Sequence, residues 1–232
     1  MKQPNKGHIA FIAICDDAFT ETASQLKTDV GSDPNNCSTL AWALAEQGWS
    51  VDFFAHQSEP PLQDDHPRYR KIFLPISLRG QLDNVLENLD AAAQAFLRYQ
   101  ESQGVIYPII QTHCWASAWV GARLKQSQFV RLLHTAGPFT QSPAPASDTH
   151  PAAIERQCLE AVDCLIAPGG GNRDRPSDFG VSPNKIRTLS PTQSLTHQFD
   201  AIYREQLALL YRQFFFASPL PDPLPETITK AS

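Results

Sequence analysis

The 232-residue chain is 42% hydrophobic and 19% charged, a globular balance that excludes a chain disordered throughout. Its net charge of -5, with no basic stripe, argues against a nucleic-acid binder, because phosphate neutralisation needs clustered Lys and Arg. The length suits one large domain, and the five cysteines (Cys15, Cys37, Cys114, Cys158, Cys164) are odd in number and without zinc spacing, so they read as reduced thiols of a cytoplasmic protein.

In chain order, residues 9–14 form an unbroken apolar run. The run is too short for a membrane span and has no small residue before Cys15 for signal cleavage, so it predicts a strand buried on both faces. A helix over 34–47 follows a polar loop, carrying Cys37, Leu40, Ala41, Leu44 and Ala45 at helical spacing, and Gly48 stops it. Strands are expected at 50–55 and, after a proline-bearing loop, at 71–76, ended by Pro75. Residues 81–100 predict an amphipathic helix with Leu82, Val85, Leu86, Leu89, Ala93, Phe96 and Leu97 on one stripe. Then come a strand at 105–111, a helix near 115–125 and a strand at 129–134. A loop over 137–147 leads to a helix over 151–162, strands at 164–167 and 185–189, and a last helix over 198–216. No stretch is long enough to cross a bilayer.

This alternation predicts an α/β Rossmann-like three-layer domain with a mostly parallel sheet of seven strands. The expected organisation is a domain over 1–198, a helix over 199–216 packed on it, and a proline-rich disordered tail over 217–232. Ligands of such sheets bind beyond the carboxyl ends of the strands. That rule singles out Asp16 and Asp17, His56, Ser77, His113, His134 and Gly169-Gly170-Gly171.

Five segments carry a family resemblance. Residues 38–52, around Leu40-Ala41-Trp42-Ala43-Leu44-Ala45-Glu46-Gln47-Gly48, resemble "LARALAEQGHEVDV". His113-Cys114-Trp115-Ala116-Ser117-Ala118-Trp119-Val120-Gly121 is similar to "HYWDSGWVG", and Leu133-His134-Thr135 to "VHT". Residues 154–168 resemble "ERxxLEEADxVIAPS", and residues 180–187 resemble "GVPPEKIRV". In this order they resemble the N-terminal, acceptor-side domain of family 4 (GT-B) glycosyltransferases, the group that includes sucrose and sucrose-phosphate synthases. The resemblance covers residues 8–199. It implies one half of a two-lobed fold, with the nucleotide-sugar lobe not represented.

Three departures stand beside it. Gly31-Ser32-Asp33-Pro34-Asn35-Asn36 replaces the family's Gly-Gly turn, so a proline and a side chain stand where phosphates approach the backbone. Ala116 replaces an acidic residue, and Pro191-Thr192-Gln193-Ser194-Leu195 replaces the family's "PPGVD" hinge.

Candidate ligand-binding residues are His113, Trp115, His134, Gly169, Gly170, Gly171 and Arg173. The resemblance makes His113 a sugar-contacting histidine, whereas a strand-end histidine bonded to backbone is the plain alternative. His134 carries the same two readings, and Trp115 is either core or sugar contact. The glycine run with Arg173 could cradle an anion, or be a surface turn without the Lys-Ser/Thr of a P-loop. Phe214-Phe215-Phe216 cannot all face one core, so they are candidate interface residues for a protein partner or a homodimer. No catalytic residue, metal or cofactor is expected. The expected function is a non-catalytic sugar- or sugar-phosphate-binding or regulatory protein. The alternatives are the acceptor subunit of a two-chain transferase and a scaffold using the last helix.

Overall fold

The computed structural model describes residues 7–14, 34–56, 66–78, 81–136, 151–168, 180–189 and 201–216. They contain strands β1 (His8–Ala13), β2 (Ser50–His56), β3 (Tyr69–Leu74), β4 (Ile109–His113), β5 (Arg131–Thr135), β6 (Cys164–Pro168) and β7 (Ile186–Leu189). The helices are α1 (Pro34–Glu46), α2 (Leu82–Gln103), α3 (Cys114–Ser127), α4 (Pro151–Leu159) and α5 (Ala201–Phe216). The strands form one sheet in the order β3-β2-β1-β4-β5-β6-β7, with every pairing parallel. This is the expected α/β Rossmann-like domain.

Strand alternation splits the core into two layers. Ala10, Ile12, Ile14, Phe54, Ile110, Leu132 and Leu165 face α2, α3 and α4. Ile9, Phe11, Ala13, Phe53, Ile109, Leu133 and Ile166 face α1 and α5. Both layers are apolar, which is why the strands read as continuous hydrophobic runs rather than alternating ones.

Several boundaries differ from the sequence reading, each for a local reason. Helix α2 runs to Gln103 because Gly104 adopts φ 60, and the Gly104 and Val105 N–H groups return to the Gln100 and Glu101 carbonyls. That cap uses the first residues expected of β4, so the strand starts only after Pro108, and Ile106 stays 79% exposed. Strand β3 begins at Tyr69, where Arg70 pairs with Asp52 across the ladder at 2.7 and 2.6 Å. Helix α4 stops at Leu159, and the next three N–H groups bond three residues back, in 3₁₀ fashion. No helix among the described residues is long and apolar enough to cross a membrane.

Candidate binding edge at the ends of β1, β4 and β5

Strand order reverses between β1 and β4, which makes the carboxyl ends of these two strands the switch point of the sheet. Helix α3 follows β4 without a loop. The turn is made by Cys114 at φ 57, a left-handed backbone uncommon for a residue with a side chain. Two bonds hold it against β1: Cys114 Sγ donates to the Ile14 carbonyl at 3.1 Å, and Ser117 Oγ accepts the Ile14 N–H at 2.7 Å.

His113, the last residue of β4, is 1% exposed. Its ring stacks on Phe11 with centroids 4.8 Å apart, on the layer covered by α1 and α5. Neither ring nitrogen has a hydrogen-bond partner. Burial holds its pKa down to about 3, with the nearby His134 adding to the effect, so the ring is neutral at any ordinary pH. One nitrogen then carries a proton and the other a lone pair.

His134 lies on the opposite layer. The register pairs His113 with Thr135 and His134 with Thr112, so the two histidines point to different faces of the sheet. The His134 ring is satisfied on both sides, by Glu155 Oε1 at 3.0 Å and Thr112 Oγ1 at 2.9 Å, all within the closed core. Trp115 is 2% exposed within the layer of α2, α3 and α4. The structure therefore does not bring His113, His134 and Trp115 together. Gly169, Gly170, Gly171 and Arg173, with Asp16 and Asp17, lie outside the described residues. Phe215 packs with Trp49 and Phe214 joins the same layer, whereas Phe216 is 74% exposed. Among the described residues no group of three His, Cys, Asp or Glu is placed to hold a metal ion.

Three polar residues beside His113 escaped the sequence reading: Gln111, Thr135 and Tyr211, all buried on its layer. A strand expected to end at residue 111 left the face of His113 unassigned. With the true end of β4, simple alternation places Gln111 and His113 side by side with Phe11.

The sequence profile of Glycosyltransferase Family 4 matches residues 37–192. The chain belongs to glycosyltransferase family 4. Among solved structures, this family 4 domain is similar to a chain of sucrose-phosphate synthase from Thermosynechococcus elongatus, with 25% identity and TM-score 0.61. That match covers 90% of this domain and 99% of that chain. A longer chain of the same enzyme matches at 24% identity and TM-score 0.57, over 79% of this domain and 48% of that chain. A glycosyltransferase from Rickettsia africae matches at 14% identity and TM-score 0.51, over 94% of this domain and 52% of that chain. The family 4 domain thus spans about half the length of the two longer chains. No curated protein sequence matches it. The motif run and the fold drawn from the sequence agree with this assignment.

Proposed function

We propose that this family 4 domain binds a sugar or sugar phosphate at the edge around His113, as a non-catalytic or regulatory component that transfers no sugar unaided. The observation carrying the reading is the neutral, closed-in His113 ring with both nitrogens unpaired at the switch point of the sheet. An unsatisfied buried polar group costs about 1–3 kcal/mol, and a ligand hydroxyl, which both donates and accepts, recovers that cost. Support for the absence of transfer comes from the residues themselves. Ala116, in place of the family's acidic side chain, is a fully buried helix residue offering no carboxylate, and α1 opens on Pro34 and Asn35 rather than a glycine pair.

Calorimetry with glucose, glucose 6-phosphate and fructose 6-phosphate tests the binding, and incubation with nucleotide-linked glucose tests the chemistry. His113→Phe keeps a ring against Phe11 and removes both nitrogens, so affinity should fall at least tenfold while the melting temperature holds. Wild-type affinity in that variant, or steady turnover of a nucleotide-sugar by the purified chain, defeats the reading.

A further inference from the structure

Gln111, two residues before His113 on the same layer, has its amide held at both ends. Tyr211 of α5 donates its phenolic O–H to Gln111 Oε1 at 3.3 Å, and Gln111 Nε2–H donates to Thr135 Oγ1 at 2.7 Å. Gln111 and Tyr211 are fully buried, and Thr135, the last residue of β5, is 6% exposed. The chain of bonds runs one way. The phenol proton fixes which end of the amide is the carbonyl, and the other end then fills a lone pair of the Thr135 oxygen. The Thr135 proton is left over, and no acceptor among the described residues takes it.

A hydroxyl proton without an acceptor in a closed site is as unfavourable as the unpaired nitrogens of His113. The two stand together, because Thr135 is the register partner of His113 and adjacent strands lie about 4.8 Å apart. Building on the proposed ligand site, we propose that Thr135 is a second binding residue, donating its hydroxyl proton to one oxygen of a sugar whose neighbouring hydroxyl meets His113. Gln111 and Tyr211 are its positioning residues. The ligand group this arrangement selects is a neutral pair of adjacent hydroxyls, one accepting from Thr135 and the other exchanging bonds with the imidazole. Helix α5 is then part of the site, since its Tyr211 sets the direction of the whole relay.

The test uses the full chain with two independent readouts. In calorimetry with glucose, glucose 6-phosphate and fructose 6-phosphate, Thr135→Val should weaken binding at least tenfold, Thr135→Ser should stay within threefold of wild type, and Tyr211→Phe should weaken it three- to tenfold. Without ligand, hydrogen exchange of the Gln111 side-chain amide by NMR should be slow in the wild type and clearly faster in Tyr211→Phe. Thr135→Val that melts earlier but binds normally would mean the hydroxyl is used up inside the protein, and overturns the assignment. Thr135→Ser failing as badly as Thr135→Val overturns it too. Unchanged exchange in Tyr211→Phe rules out the relay whatever binds. A wild type that binds none of the three probes removes the ligand site and the Thr135 assignment with it, while the exchange readout still decides the relay separately.

Discussion

An exposed histidine titrates near pH 6.5, and His113, stacked on Phe11 with no partner for either nitrogen, has its pKa pushed down to about 3 by burial. Between those two values the unfolded chain takes up a proton that the folded chain refuses. The stability His113 contributes is therefore complete above about pH 6.5 and declines as pH falls towards 3. In solution, the His113 Cε1–H signal should show no inflection between about pH 5 and 8, across the range where free imidazole titrates. A midpoint near the free value would mean that water reaches the ring and the proposed recognition is wrong. Affinity for unphosphorylated glucose should likewise be flat over this range, whereas a phosphorylated sugar adds its own ionisation near pH 6. The comparison isolates the imidazole from the ligand.

At the scale of elements, α3 lies against the sheet through a glycine. A Cβ at Gly121 would stand 2.7 Å from Thr112 Cγ2 and 2.8 Å from Leu132 Cδ1. Alanine is the better helix former by about 1 kcal/mol. The contact opposes it: Thr112 cannot turn its methyl away without breaking the bonds from its hydroxyl to the Leu133 carbonyl and His134. Overpacking of this kind costs about 1–3 kcal/mol, so Gly121→Ala should be a net loss of about 1–2 kcal/mol in urea unfolding. Thr112→Ser keeps the hydroxyl and removes the methyl, and adding it to Gly121→Ala should restore part of that loss. A stabilised single variant would show that α3 has slack against β4 and β5. The motif containing Gly121 was legible in the sequence, and so was every strand and helix of the described core, because buried parallel strands and striped helices write themselves as apolar runs. The site was less legible. Gly104 ends α2 late, Pro108 delays β4, and with that boundary misplaced nothing assigned His113 and His134 to opposite layers. Gln111, Thr135 and Tyr211 meet only after the chain has folded, since the bond from Tyr211 to Gln111 joins residues 100 positions apart.

Across the whole molecule, the two ends of the sheet are built differently. The carboxyl end carries the unpaired groups of His113 and Thr135, whereas the amino end carries locked charges. Lys125, 4% exposed, reaches Asp163 at 2.5 Å, and the same carboxylate accepts the Leu132 N–H at 2.8 Å. Asp52, 1% exposed near the start of β2, accepts from both Arg70 nitrogens, from the Tyr107 hydroxyl and from His8 Nε2 at 3.2 Å, tying together β1, β2, β3 and the approach to β4. Burial alone would raise the Asp52 pKa, but hydrogen bonds from His8, Arg70 and Tyr107 outweigh it and hold the pKa below its ordinary value. A carboxyl depressed in the folded state stabilises the fold above its unfolded pKa of about 3.9, and that contribution drains away as pH falls through the folded value. The Arg70 side chain is 45% exposed, so water screens its share and the effect belongs at the lower end for buried ion pairs. Asp52→Asn should therefore cost about 1–3 kcal/mol at neutral pH, measured by urea titration. The gap between wild type and variant should then close as both are taken below about pH 3, because the wild-type carboxyl becomes neutral while the amide has nothing to lose. A gap that stays constant from neutral to acid would show that Asp52 holds the amino end by shape and hydrogen bonding alone, with its charge irrelevant to the fold.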